Sequence, residues 1–99
     1  MTKAYLIAHL TLTNPDRFRS EYMSKVGAVT EEFGGKYLVR GGDVSYQESE
    51  SLGDRTVVIE FPNRDAALAW GSSEQYQAII KARTENSTGS LIIIDGVPE

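Results

Sequence analysis

The sequence contains no cysteine, only one histidine, and fewer basic than acidic residues. Without cysteine the chain has no disulfide, no thiolate metal ligand and no cysteine nucleophile. A single histidine also excludes a two-histidine metal site within one chain. Ten Lys and Arg against fourteen Asp and Glu give a net charge of -4. This balance argues against a nucleic-acid or membrane partner, because both rely on a basic protein surface.

Long apolar runs are also missing. Runs such as residues 91–94 are far shorter than the roughly 20 residues that span a bilayer. The first residues lack the apolar core of a secretory signal. No phosphate-loop, calcium-loop or metal-ligand spacing is present, so we expect neither a cofactor nor a metal. These absences predict a soluble, cytoplasmic protein.

What the sequence does contain is enough for one folded domain over residues 1–99. Hydrophobic residues make up 40% and charged residues 24%, which is typical of globular proteins. A chain of this size buries about two-thirds of the surface that it exposes when unfolded. We therefore expect a self-sufficient hydrophobic core.

Apolar periodicity and helix-capping residues divide the chain into strands and helices. The pattern predicts strands over residues 4–13, 36–42, 56–61 and 90–97. A first helix begins at Asn14-Pro15 and ends at Gly34-Gly35, and Asn63 caps a second helix that Gly71 breaks. A capping box from Ser72 to Gln75 then begins a short helix. The stripe of the first helix consists of Phe18, Tyr22, Val26, Val29 and Phe33.

This β-α-β-β-α-β order predicts an α+β, ferredoxin-like fold. Its four-stranded antiparallel sheet carries both helices on one face and leaves the other face uncovered. An uncovered apolar sheet face requires a partner, and a second copy of the chain is the simplest one. The sequence therefore predicts a homodimer.

Each predicted strand carries one ionisable residue among apolar neighbours, and these residues are His9, Arg40, Glu60 and Asp95. If the aliphatic rows face the helices, His9 and Glu60 point to the open face, and we expect Arg40 to join them. One interpretation is a catalytic pocket in which His9 is a base and Arg40 binds an anion. The other is structural, with a cross-strand ion pair between Arg40 and Glu60 and with His9 in an interface.

Four more residues are candidates for ligand binding, namely Trp70, Tyr76, Arg83 and, in the second strand, Tyr37. Trp70 and Tyr76 flank the helix break and fit either ligand stacking or core and dimer packing. Arg83 ends the short helix, where it either complements the helix dipole or binds an anion at the pocket mouth. Tyr37 completes this candidate set.

Several of these stretches resemble an uncharacterised bacterial family, the domain of unknown function 1330. The resemblance covers nearly the whole chain in order and includes Arg40, Glu60, Trp70, Tyr76, Arg83 and Asp95. It rests on the following stretches: Tyr37-Leu38-Val39-Arg40-Gly41-Gly42, Val57-Val58-Ile59-Glu60-Phe61-Pro62, Ala66-Ala67-Leu68-Ala69-Trp70, Ser73-Glu74-Gln75-Tyr76-Gln77-Ala78, Arg83, and Ile93-Ile94-Asp95-Gly96-Val97.

The resemblance implies the dimeric α/β-barrel superfamily, in which two ferredoxin-like units pack sheet to sheet. Its members include cofactor-independent monooxygenases, haem-degrading enzymes, muconolactone isomerase-like proteins and stress-responsive proteins, so the fold alone names no chemistry. Three hypotheses follow. The protein is a dimer that binds a small organic molecule, in a pocket either between the sheet and the helices or at the dimer barrel; a cofactor-independent enzyme, of the monooxygenase or isomerase type, acting on a small organic acid or aromatic substrate; or an interaction module.

Overall fold

The structure is a computed structural model and describes residues 2–98. Its four strands form one antiparallel sheet in the order β2-β3-β1-β4. This arrangement confirms the predicted α+β, ferredoxin-like fold. The strands are β1 (Ala4–Leu12), β2 (Lys36–Arg40), β3 (Arg55–Phe61) and β4 (Ser87–Asp95). The helical segments are α1 (Pro15–Phe18), a π-helical turn (Arg19–Met23), α2 (Ser24–Glu32), α3 (Arg64–Ser72), α4 (Glu74–Gln77) and α5 (Ile80–Thr84).

The first helical region begins as predicted and contains one irregular turn. The Asn14 side chain accepts a hydrogen bond from the Arg17 backbone N–H at 3.2 Å, and Pro15 opens α1. In the π-helical turn the Ser24 N–H donates to the Arg19 carbonyl, five residues earlier. Such a turn is one residue wider than an α-helical turn. It carries Tyr22, which is buried against the sheet.

The second helical region differs from the prediction at its break. Helix α3 runs through Gly71 and ends after Ser72, so Gly71 does not break it. The cap of α4 is Ser73 rather than Ser72. The Ser73 backbone is extended and its hydroxyl accepts a hydrogen bond from the Tyr76 N–H at 3.1 Å. Ser72 instead donates to the Leu68 carbonyl within α3.

The strand ends also differ slightly from the sequence pattern. Strand β4 begins at Ser87, three residues earlier than predicted, because Ser87 pairs with Leu12 at the end of β1. This first part of β4 is polar, so apolar alternation did not reveal it. Strand β2 ends at Arg40, and the residues up to the start of β3 form a loop.

The core lies between the helices and one face of the sheet, and Thr30 is its central polar residue. The Thr30 hydroxyl donates to the Val26 carbonyl at 2.8 Å and accepts from the Trp70 indole N–H at 3.2 Å. The second bond connects α3 to α2, whereas the first lies within α2, and Thr30 and Trp70 are almost fully buried. The helix-facing row of β1 is buried beneath them and consists of Ala4, Leu6, Ala8 and Leu10.

The opposite face of the sheet carries no helix and is apolar at its centre. Ile7 of β1 lies between Val58 of β3 and Ile92 of β4, and Ile94 continues the row. Ile92 and Ile94 are each 49% exposed. We call the side chains of this surface the open face. Within residues 2–98, none of the helices has the length and apolar character needed to cross a membrane.

We predict that Gly35→Ala destabilises the fold, because an alanine Cβ at this position has no space. It would lie 2.5 Å from Thr30 Cγ2 and 2.9 Å from a Phe61 ring carbon. Relieving this overlap moves core side chains, so the free energy of unfolding should fall by about 1–3 kcal/mol. Urea denaturation measures this change.

Gly71→Ala is the matched control, because nothing lies within 4 Å of a Cβ at Gly71. An alanine in this helical position should raise the free energy of unfolding by about 0.5–1 kcal/mol. Equal stability of the two variants would contradict the packing described for Gly35.

Candidate functional site

A cavity lies between the helical layer and the sheet, on the face opposite to the open face. Its volume is about 30 Å³, and its mouth is open to solvent. Its floor is formed by sheet residues and its roof by the first helical region and Trp70. The apolar lining residues are Leu6, Ala8, Leu10, Phe18, Met23, Val26, Val57, Ile59 and Leu91.

Three arginines, Arg40, Arg55 and Arg83, supply the only charged side chains in this lining. Arg55 pairs across the sheet with Leu10, and Arg40 pairs with Val57, two residues after Arg55. Arg83 lies in α5 and also borders a hollow with Leu10. The three arginines therefore border the cavity at one end of the sheet.

Arg83 reaches this end from the last turn of α5. Its Nε–H is buried and has no hydrogen-bond partner among the described residues. A buried donor that lacks an acceptor is uncommon in folded proteins, since its desolvation is not compensated. The sequence predicted that Arg83 lies at the end of the short helix. The structure shows in addition that its Nε–H is buried.

Arg40 lies on the helix face, so the prediction that it joins His9 and Glu60 on the open face is wrong. The physical reason is a β-bulge: Tyr37 pairs with Ile59, but Val39 pairs with Val58. The additional residue shifts the alternation of the strand by one position. The Arg40 guanidinium then lies 4.4 Å from the centre of the Tyr37 ring and donates to the Met23 carbonyl at 3.5 Å.

Arg55 is a site residue that the sequence analysis missed. Burial lowers the pKa of its guanidinium, and the nearby positive charges of Arg40 and Arg19 lower it further. The alternation of side chains along β3 indicates where Arg55 lies, because Arg55, Val57 and Ile59 belong to the same row, which faces the helices. The predicted strand began one residue too late to include it.

Aromatic side chains form the wall of the cavity beneath the helices. Tyr22, Tyr37 and Trp70 line it, whereas Tyr76 lies behind Trp70 with the two ring centres 4.0 Å apart. The Tyr22 and Tyr76 hydroxyls are hydrogen-bonded at 2.9 Å. Burial raises the pKa of the Tyr22 phenol well above its usual value, and the neighbouring Tyr76 adds to the effect. Tyr22 is thus a neutral hydrogen-bonding group.

His9 and Glu60 both lie on the open face, as predicted, but they are not close together. Glu60 pairs with Tyr5 and His9 pairs with Thr56, so four residues of strand, or about 13 Å, separate them. The Glu60 carboxylate accepts from the Tyr5 hydroxyl at 3.3 Å and forms an ion pair with Lys3 at 3.5 Å. The alternative ion pair between Arg40 and Glu60 is excluded, because these residues lie on opposite faces.

His9 instead borders a polar hollow between the open face and the loop before β3. Its Nδ1 lies 3.1 Å from the Thr56 hydroxyl. Glu48 and Glu50 of the loop line the same hollow, which encloses about 520 Å³ including open solvent. The sheet separates this hollow from the arginine-lined cavity.

Asp95 lies at the other end of the sheet from the arginine cluster. It pairs with Ala4 across β1 and β4 and receives two hydrogen bonds from the Arg64 guanidinium. These hydrogen bonds lower the pKa of the Asp95 carboxyl. Asp95 therefore has an exposed structural partner. Among residues 2–98, no group of three or more His, Asp or Glu side chains is arranged to hold a metal ion.

Comparison with known families and structures is consistent with this description. The family described as Domain of unknown function (DUF1330) matches residues 3–97. No curated protein matches the chain.

Among solved structures, a protein of unknown function from Rhodopseudomonas palustris superimposes with a TM-score of 0.72 and 18% identity, covering 99% of this chain and 83% of that one. SnoaB, a cofactor-independent oxygenase from Streptomyces nogalater, gives a TM-score of 0.67 at 13% identity over 100% and 97% of the two chains. A dabb family protein with a ferredoxin-like fold from Mesorhizobium loti gives 0.63 at 16% identity over 100% and 99%. At these identities the likeness establishes the fold.

We predict that Tyr22→Phe changes the pH dependence of stability above pH 10. An unfolded tyrosine ionises near pH 10, whereas buried Tyr22 keeps its proton to higher pH. The contribution of Tyr22 to the free energy of unfolding is therefore fully present below about pH 10. Above this pH the contribution falls by up to about 1.4 kcal/mol per pH unit. At pH 7 the variant should lose about 1 kcal/mol, because Tyr76 loses its buried hydrogen-bond partner.

Urea denaturation of the protein and the variant between pH 7 and pH 11 measures both effects. The difference in unfolding free energy should be constant up to pH 10 and then decrease, because only the protein with Tyr22 carries this proton linkage. A difference that stays constant through pH 11 would show that Tyr22 is not the buried phenol described here.

Proposed function

The chain belongs to the DUF1330 family, and we propose that it binds a small organic molecule in the cavity between the helices and the sheet, as one subunit of a homodimer. The observation that carries the proposal is the composition of the cavity. Apolar and aromatic side chains form most of its wall, and a few polar groups are concentrated at one end. Small-molecule sites in proteins typically combine these two features.

The cavity is smaller than a ligand of one ring and has room for only about one or two water molecules. The space that accepts water centres is only about 30 Å³, so a ligand enters when flexible side chains move. Arg40 is exposed and Met23 is half-buried, which places both at the rim of the cavity. Both are long side chains with several rotatable bonds, and methionine in particular adapts to irregular spaces.

A second candidate is a cofactor-independent enzyme, of the monooxygenase or isomerase type, that acts on a small organic acid or an aromatic substrate. The observation in its favour is the likeness to SnoaB, which extends over nearly the full length of both chains. In this candidate Arg40, Arg83 and Tyr22 act on a substrate in the cavity. His9 acts as a base only on a substrate held in the hollow on the open face, because the sheet lies between the two spaces.

The homodimer part of the proposal is supported by the open face. Its centre is apolar, with Ile7, Val58 and Ile92 on three adjacent strands. Val39 extends the apolar row to β2, where it is 40% exposed. A second copy, related by a two-fold axis, presents the same apolar centre and would cover it. A cytoplasmic location is part of the same proposal and rests on the sequence alone.

We predict that filling the cavity abolishes ligand binding. Val57→Phe places a ring in the cavity, whereas Leu68→Phe places the same ring on the exposed surface of α3, away from the cavity and the open face. Phenol and benzamide are suitable neutral one-ring probes, and ligand-observed NMR measures their binding. Both probes should bind the protein and the Leu68→Phe variant, and binding to Val57→Phe should fall at least tenfold. Equal binding to the two variants would exclude the cavity as the site.

We predict that Ile92→Lys converts the dimer into a monomer, because it places a charge at the centre of the open face, which the second copy covers in the proposed dimer. Leu68→Lys is the control, since Leu68 is exposed on the helical side. Sedimentation equilibrium at micromolar concentration should give twice 10.9 kDa for the protein and for Leu68→Lys, and 10.9 kDa for Ile92→Lys. A mass of 10.9 kDa for the unmodified protein would refute the dimer.

A further inference from the structure

We propose that the cavity binds an organic carboxylate with a small apolar or aromatic body, and that Arg83, Arg40 and Arg55 hold the carboxylate group. This inference rests on the proposed function, because it names the ligand class of the same cavity. It rests on the difference between the arginines that have a carboxylate partner in the structure and those that have none in the cavity lining.

The six arginines of the chain fall into two groups. Arg17, Arg19 and Arg64 lie outside the cavity, and each has a carboxylate partner, namely Glu21, Asp16 and Asp95. The three cavity arginines have no acidic neighbour in the lining, which within the described residues contains neither Asp nor Glu. Although the net charge of the chain is -4, the lining of this cavity holds three arginines and, among residues 2–98, no carboxylate.

The contacts of the cavity arginines leave hydrogen-bond donors available. Arg40 has one long hydrogen bond to the Met23 carbonyl, at 3.5 Å, and lies over the Tyr37 ring. Arg83 has a buried Nε–H without an acceptor among residues 2–98. A guanidinium always carries its charge, and its planar donors match the two oxygens of a carboxylate. A bound carboxylate would accept the hydrogen bond that Arg83 lacks.

The same end of the cavity also concentrates positive charge. The charge of Arg40 disfavours the protonated form of Arg55, in addition to the effect of burial on that group. An anion between these side chains relieves this repulsion, and the low polarity of the surrounding walls strengthens the attraction.

The remainder of the cavity selects the body of the ligand. Beyond the arginines, the lining is aliphatic and aromatic, with Phe18, Tyr22 and Trp70 beneath the helices. This surface stabilises an apolar body by removing it from water. A highly hydrated ion such as inorganic phosphate contacts the arginines but does not occupy the apolar part of the cavity. A carboxylate attached to one ring uses both parts of the cavity.

The test compares benzoate with benzamide, which has nearly the same shape but no charge, and with inorganic phosphate. Isothermal titration calorimetry at low salt measures the affinities, and the Nε–H signal of Arg83 in ¹H–¹⁵N spectra reports on the contact itself. Benzoate should bind at least tenfold more tightly than benzamide or phosphate, and it should shift the Arg83 signal. Arg83→Met and Arg40→Met should each reduce benzoate affinity to the level of benzamide.

Arg64→Met is the matched control, because Arg64 lies at the opposite end of the sheet with its own partner, Asp95. It should leave the affinity for benzoate unchanged. Arg83→Met should also raise the melting temperature of the ligand-free protein, because it removes a buried donor that has no acceptor. This measurement shows in addition that the variant is folded.

The outcomes separate this inference from the proposed function. Equal affinity for benzoate and benzamide, with binding lost in Val57→Phe, would overturn the carboxylate and leave the cavity as a ligand site. Tighter binding of phosphate than of benzoate would also overturn the carboxylate. If none of the three compounds binds, both the inference and the proposed function fail.

Discussion

The alternation of side chains across the sheet is the constraint on which the rest of this structure depends. Along β1, Leu6, Ala8 and Leu10 face the helices, whereas Ile7 and His9 face the other way. The first row forms the floor of the core and of the cavity, and the second forms the open face. Because one pleat creates both surfaces, a residue on a strand contributes to the cavity or to the proposed dimer face, but not to both.

The cavity conflicts with the usual arrangement of charge in a protein core. Arg83 has a buried nitrogen that finds no acceptor within residues 2–98, and the positive charge of Arg40 opposes that of Arg55. Both features lower the stability of the ligand-free chain, since unpaired buried donors and like charges are unfavourable. Strained or unsatisfied groups of this kind are concentrated at functional sites. The three arginines outside the cavity, Arg17, Arg19 and Arg64, show the opposite arrangement, with a carboxylate beside each.

The fold could be predicted from the sequence because its signals are local and repeated. Asn14-Pro15, Asn63 and the row of apolar residues in β1 each identify an element without knowledge of distant contacts. The site was less predictable. The direction of Arg40 depends on a β-bulge whose extra residue, within Tyr37-Leu38-Val39, has no sequence signature of its own. Arg55 was predictable from alternation, but only once the start of its strand is known.

Two irregular backbone segments meet at the rim of the cavity. One is the π-helical turn that carries Met23, and the other is the β-bulge that precedes Arg40. The hydrogen bond from Arg40 to the Met23 carbonyl joins them at 3.5 Å. Each irregularity corresponds to a single inserted residue in an otherwise regular element. The charged end of the cavity therefore depends on two local departures from regular backbone, while the order of the strands is that of an ordinary ferredoxin-like sheet.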